Sequence, residues 1–105
     1  MVHLVVLCKL ENHVTQERLE DMARQARTNL LKIPEVLYVR AGKRIDNDNA
    51  YPYFFSVDVE SLDKLAMYRD DPNQAKFIKE VIEPNTRERL EMVYELEPNK
   101  DVRYS

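Results

Sequence analysis

The chain has 105 residues, of which 44% are hydrophobic and 33% charged, and its net charge is −3 at pH 7. These values are typical of one folded domain and argue against a disordered chain. Charges of both signs are interspersed without a basic stripe, so no nucleic acid partner is expected. The longest apolar run, residues 4–8, is too short for a membrane span or a signal peptide core, and we expect a cytoplasmic protein.

The single cysteine and the single glycine exclude several classes of site. Cys8 has no second cysteine for an internal disulfide and lies in an apolar run, which favours a structural role. Gly42 alone cannot form a Gly-rich phosphate loop. His13 lies in a polar loop without a second ligand in range, so we expect no metal site and no cofactor.

The first half of the chain predicts a strand, a helix and a second strand. Residues 3–10 (HLVVLCKL) are apolar on both alternating faces, which is typical of a strand covered on both sides. Thr15 is a candidate helix N-cap, and Pro34 limits the helix. The apolar stripe of this helix comprises Leu19, Met22, Ala23, Ala26 and Leu30. Residues 36–45 predict a strand, and residues 46–50 (DNDNA) a turn or loop.

The second half predicts a strand, a broken helical segment and a final strand. Residues 51–60 alternate, with Tyr53, Phe55, Val57 and Val59 on one face and Ser56 and Asp58 on the other. Ser61 caps a short helix, and Asp71-Pro72 begins another that Pro84 limits. Residues 89–97 predict the last strand. The order β-α-β-β-α-β predicts one ferredoxin-like α+β domain over residues 1–105.

One face of such a sheet carries no helices. We assign to this bare face the apolar residues of the outer strands: Leu4, Val6, Cys8, Leu10, Leu90, Met92, Tyr94 and Leu96. Monomers rarely expose so large an apolar patch, so the sequence predicts a homodimer whose two sheets stack into a dimeric α+β barrel. The alternative is a monomer whose first strand faces the other way.

Three segments resemble the stress-response A/B barrel (Dabb) family. Residues 2–10 (VHLVVLCKL) are similar to its histidine-bearing first strand, and residues 92–98 (MVYELEP) to its last strand. Residues 57–84 resemble the strand–helix segment that carries a Tyr, a His-Pro-x-His, a Phe and a later Pro. The resemblance implies a dimeric α+β barrel with a pocket between the sheet and the helices of each subunit.

The family includes a polyketide cyclase, olivetolic acid cyclase, in which a tyrosine and a histidine act as acid and base. By motif, the tyrosine corresponds to Tyr68, the first-strand histidine to His3, and the last-strand carboxylate to Glu95. The two histidines of His-Pro-x-His are replaced by Asp71 and Gln74. Glutamine does not titrate, so the base that the resemblance implies is missing at this position.

Helical spacing independently places Tyr68 and Gln74 on the side that faces the sheet. Tyr68 is either a buried aromatic residue with a satisfied hydroxyl or a donor to a ligand carbonyl. His3 is either a histidine without a catalytic task or the remaining base. The candidate catalytic residues are thus Tyr68 and His3, and the candidate binding residues are Gln74, Glu95, Tyr53, Phe55 and Phe77.

Three functions agree with this reading. The first is a homodimer that binds a small apolar or aromatic ligand in the pocket of each subunit. The second is a cyclase-like or lyase-like enzyme that uses Tyr68 with His3 or Glu95. The third, a cofactor-free monooxygenase, rests on analogy of fold alone.

Overall fold

The computed structural model describes residues 1–46 and 50–96. Its strands are β1 (Val2–Leu10), β2 (Tyr38–Lys43), β3 (Tyr53–Val59) and β4 (Thr86–Glu95). Its helices are α1 (Gln16–Leu30), α2 (Leu62–Arg69), α3 (Pro72–Phe77) and α4 (Glu83–Asn85), with a π-helical turn (Ile78–Ile82) between α3 and α4. The β-α-β-β-α-β order is confirmed. Residues 47–49 of the predicted loop and Glu97 of the predicted last strand lie outside the described residues.

Short polar side chains begin the three longer helices, as the sequence predicts. The Thr15 hydroxyl accepts a hydrogen bond from the Arg18 amide at 3.1 Å. The Ser61 hydroxyl accepts one from the Lys64 amide at 3.2 Å. At the start of α3, Asp71 accepts one from the Asn73 amide at 2.8 Å, and Pro72 occupies the first helical position. Each contact satisfies an amide that has no partner within its helix.

After α3 the chain stays helical through the π-helical turn and α4, and this helical segment ends at Asn85, one residue past Pro84. The Glu83 amide donates to the Ile78 carbonyl, five residues earlier, so the turn is wider than in an α-helix. Pro84 has no amide hydrogen to donate, and the chain leaves the helix at Asn85. The Asn85 side-chain amide donates to the Val81 carbonyl at 2.7 Å, which satisfies one of the last carbonyls.

The four strands form one antiparallel sheet in the order β2-β3-β1-β4. Val6, in the middle of β1, pairs with Phe55 on β3 and with Glu91 on β4. Directly paired residues point to the same face of a sheet, so this register fixes which residues lie together.

The helices cover the face of the sheet on which β1 carries Val2, Leu4, Val6 and Cys8. All four residues are at most 6% exposed and belong to the core. The prediction that Leu4, Val6 and Cys8 lie on the bare face is therefore wrong. Both alternating sets of β1 are apolar, so the period of the strand did not identify the covered set. At the end of β1, the pairing with β4 shifts between Lys9 and Leu10, and Leu10 packs partly buried against the core.

We call the other side of the sheet the open face. On β4 it carries Leu90, Met92 and Tyr94, as predicted, because these residues pair with Leu7, Val5 and His3. Leu90 is 42% exposed and Tyr94 is 51% exposed. The open face comprises Tyr38, Arg40 and Gly42 of β2, Phe54, Ser56 and Asp58 of β3, His3, Val5 and Leu7 of β1, and Leu90, Met92 and Tyr94 of β4.

Cys8 is a fully buried free thiol in the core. Burial raises the pKa of Cys8 from its ordinary value to about 12, against a smaller opposing effect of the Arg89 charge. The thiol therefore stays neutral at physiological pH and acts as a small apolar side chain. This agrees with the structural role expected from the sequence.

Candidate functional site

Tyr68 occupies the last turn of α2 and is 1% exposed. The helix is short because Asp71 and Pro72 begin a new helix two residues after it ends. Leu65, one turn earlier on the same side of α2, is also buried. The prediction from helical spacing that Tyr68 faces the interior is therefore confirmed.

The Tyr68 hydroxyl has no hydrogen-bond partner within residues 1–46 and 50–96. In the same part of the chain, every fully occluded polar side-chain atom does have a partner. The hydroxyl oxygen must therefore contact a gap at the protein surface although the ring is enclosed. An accessible hydroxyl on an otherwise enclosed ring can donate a hydrogen bond to a water molecule or to a ligand.

Two charged side chains act electrostatically on this hydroxyl. Burial raises the pKa of Tyr68, the Glu91 carboxylate raises it further, and the Arg69 guanidinium lowers it. Arg69 and Glu91 form an ion pair at 3.1 Å, which joins α2 to β4. The phenol is therefore neutral at physiological pH and can donate a hydrogen bond, but it cannot serve as a base.

Tyr53, Phe55 and Phe77 fill the space between the sheet and the helices. Each is at most 1% exposed. The rings of Phe55 and Phe77 meet edge to face with centroids 5.3 Å apart. The Tyr53 hydroxyl donates to the Met22 carbonyl at 3.1 Å, so its polar group is already used. The three rings pack as core. Among the buried aromatic residues of the described chain, Tyr68 differs from Tyr53 in that its hydroxyl makes no hydrogen bond.

A pair of phenylalanine substitutions distinguishes the two buried tyrosines. We expect Tyr53→Phe to lower the free energy of unfolding by about 1 kcal/mol, because a satisfied hydrogen bond is lost. We expect Tyr68→Phe to change it by less than about 0.5 kcal/mol, because its hydroxyl has no partner in the folded chain. Urea denaturation measures both. Equal losses would show that the Tyr68 hydroxyl is bonded inside the protein.

The two polar candidates near Tyr68 differ in their placement. Gln74 is half-buried on α3, where its amide can donate and accept hydrogen bonds. Glu95 is exposed at the end of β4, paired with Val2. The carboxylate whose charge acts on Tyr68 is that of Glu91, which sequence reasoning missed. Glu91 and Glu95 are four residues apart and therefore lie on the same face of β4. This alternation could have identified Glu91 as a second candidate.

His3 lies on the open face, where its Nδ1 contacts Oδ1 of Asp58. Tyr68 is packed on the other side of the sheet among the core residues. The prediction that Tyr68 and His3 act together in one pocket is therefore wrong within a subunit, since the sheet separates them. The neighbouring residues that face the helices are Val2 and Leu4, so the histidine of β1 lies on the open face and not among the core residues.

Two of the hollows formed by the described residues border the open face. One has a volume of about 500 Å³ and is lined by Met1, His3, Tyr38, Arg40, Asp58 and Leu96. The other has a volume of about 350 Å³ and is lined by Leu7, Lys43, Arg44, Tyr51 and Phe54. Most of these lining residues belong to the open face.

Within the described residues, no cluster of three His, Cys, Asp or Glu side chains could hold a metal ion. In the same residues, none of the helices combines the length and the apolar character that crossing a membrane would require.

The architecture is that of a ferredoxin-like α+β protein, and solved structures of this class match it. A protein from Arabidopsis thaliana is 20% identical, with a TM-score of 0.82, over 92% of this chain and 96% of that one. A dimeric ferredoxin-like protein of unknown function from Thermobifida fusca is 19% identical, with a TM-score of 0.80 and 90% of each chain covered. A hydroxynitrile lyase from Passiflora edulis is 16% identical, with a TM-score of 0.76, over 92% of this chain and 94% of that one.

These similarities show a shared fold. The model of the stress responsive A/B barrel domain (Dabb) matches residues 2–96. The chain belongs to this family. A search of curated proteins finds no match.

Proposed function

We propose that this chain forms a homodimer through its open face and binds a small molecule at the Tyr68 hydroxyl on the other side of the sheet. The observation that carries the binding part is the Tyr68 hydroxyl, which is held in an almost fully buried ring without a hydrogen-bond partner in the described residues. A neutral hydroxyl donor fits the carbonyl oxygen of an apolar or aromatic ligand.

Exposed apolar side chains on the open face support the dimer. Leu90 and Tyr94 of β4 and Tyr38 of β2 are each more than 40% exposed. Half-buried Val5 and Met92 connect them across the sheet. Stacking a second copy on this face would remove apolar surface from water. Solved neighbours of the same fold are described as dimeric, which supports a homodimer.

We propose that the Tyr68 site binds a ligand and does not catalyse a reaction. Gln74 occupies the position at which the family resemblance implies a catalytic histidine, and an amide cannot take a proton. The Glu91 carboxylate acts electrostatically on Tyr68, but it already forms an ion pair with Arg69.

A pair of fluorinated probes tests the binding site by fluorine NMR. We expect 4-trifluoromethylacetophenone to bind the wild-type protein and to bind Tyr68→Phe about fivefold to tenfold more weakly, because one hydrogen bond to the carbonyl is lost. 4-Trifluoromethyltoluene has no carbonyl group and is the matched control. It should bind both proteins equally. Equal affinities of the ketone for both proteins would overturn the role of Tyr68.

A further inference from the structure

The His3–Asp58 pair on the open face plays no part in the Tyr68 site. The Asp58 side chain is 5% exposed, and its Oδ1 contacts His3 Nδ1. A carboxylate can only accept hydrogen bonds, so Nδ1 carries the hydrogen. In the neutral ring Nε2 then keeps its lone pair, and the structure gives it no partner in the described residues. Asp58 thus holds the imidazole in one tautomer, as it is held in enzymes that use histidine as a base.

The register of the sheet places a cation beside this pair. Asp58 pairs with His3 on β1 and with Tyr38 on β2. Nη1 of Arg40 lies 3.4 Å from the second carboxylate oxygen of Asp58, and its side chain is 59% exposed. The guanidinium has five N–H donors, so this one contact leaves others for a ligand. Arg40 also stacks over the Tyr38 ring, 5.6 Å from its centroid.

These groups line the hollow of about 500 Å³, together with Met1 and Leu96. This volume is sufficient for a small aromatic molecule. Its walls combine a proton acceptor, a cation and apolar surface. Within the described residues, the charged and titratable side chains around His3 are Asp58 of β3, Arg40 and Tyr38 of β2, and Tyr94 of β4.

We propose that this hollow binds a small molecule with a weakly acidic hydroxyl, a phenol or an enol, and takes up its proton. The O–H bond breaks and the proton moves to Nε2 of His3. Asp58 balances the charge of the resulting imidazolium, and Arg40 binds the oxyanion that remains. The step needs no oxidant or further reactant. A second copy on the open face would enclose the hollow, and the Tyr68 site is on the opposite side of the sheet.

4-Nitrophenol is a direct probe, because its phenolate is yellow and its neutral form is colourless. We expect the wild-type protein, at a mildly acidic pH where the free probe is mostly neutral, to produce a saturable increase in phenolate absorbance. We expect His3→Gln to lose this increase and Arg40→Met to weaken binding at least about tenfold, because a charge-assisted hydrogen bond is removed.

Two controls separate this site from the rest of the protein. His13→Gln removes the only other histidine and should leave the absorbance unchanged. Tyr68→Phe should also leave it unchanged, which makes the result independent of the proposed ligand site between the sheet and the helices. Loss of the signal in either control would contradict the assignment to the open face.

Nitrogen NMR of the unsubstituted protein supplies a second readout that does not depend on the folding of a variant. We expect the neutral His3 ring to carry its hydrogen on Nδ1, and saturation with 4-nitrophenol to protonate Nε2. A hydrogen on Nε2 in the free protein would overturn the proposal. So would the absence of any phenolate signal with the wild-type protein, or its persistence in His3→Gln.

Discussion

Val6→Asp should prevent stable folding, whereas Val5→Asp should leave the chain folded. Val6 is 2% exposed among the core residues under the helices, and Val5 is half-buried on the open face. A carboxylate buried without a partner costs several kcal/mol, a large part of the 5–15 kcal/mol that stabilises a typical domain. For a chain of this size, a loss of about 3 kcal/mol corresponds to roughly 15–20 °C in the melting temperature.

Far-ultraviolet circular dichroism during heating measures both variants. We expect no cooperative transition, or a strongly lowered one, for Val6→Asp. Val5→Asp should retain the secondary structure and a cooperative transition, although its association should change. The reverse pattern would mean that the facing of β1 is wrong, and with it the assignment of the open face.

The second large effect concerns the association of two copies. Leu90 and Val93 lie on the same strand and are 42% and 44% exposed, but they point to opposite faces of the sheet. We expect Leu90→Asp to weaken dimerisation at least about hundredfold, because twofold symmetry brings both new carboxylates into the apolar contact. Val93→Asp should remain a dimer, because its side chain lies outside that contact.

Sedimentation equilibrium gives the dissociation constant of each variant. Leu90→Asp and Val93→Asp add the same charge to the same strand. They differ only in the face of the sheet that carries the new carboxylate. Dissociation caused by Val93→Asp but not by Leu90→Asp would place the interface on the helix side of β4.

The sequence allowed prediction of features in which one local signal dominates. Thr15, Ser61 and Asp71 begin helices because a short polar side chain can accept a bond from an amide of the first turn. The facing of β3 was also predictable, because Tyr53, Phe55, Val57 and Val59 alternate with Ser56 and Asp58. Local patterns of this kind do not depend on the rest of the fold.

The facing of β1 could not be predicted in the same way. His3, Val5 and Leu7 differ too little in polarity from Leu4, Val6 and Cys8, and a shift of one residue exchanges the two faces. What fixes the facing is the pairing of Val6 with Phe55, a contact between distant parts of the chain. The same error placed His3 in a pocket with Tyr68.

Only part of the candidate site could be predicted, because some of its residues are brought together by contacts between distant parts of the chain. Helical spacing placed Tyr68 inside, but the choice between Glu91 and Glu95 depends on where α2 ends relative to β4. Arg69, at that end, pairs with Glu91. The pair of His3 and Asp58 likewise follows from strand register, because the two residues are 55 positions apart.

The most direct test of the proposed assembly is isotope-filtered NMR on a mixture of labelled and unlabelled protein, which detects contacts between copies only. We predict intermolecular contacts among open-face side chains, including Val5, Leu90 and Met92, and none from Val93. Contacts from Val93 or from α1, without contacts from Leu90, would contradict the account.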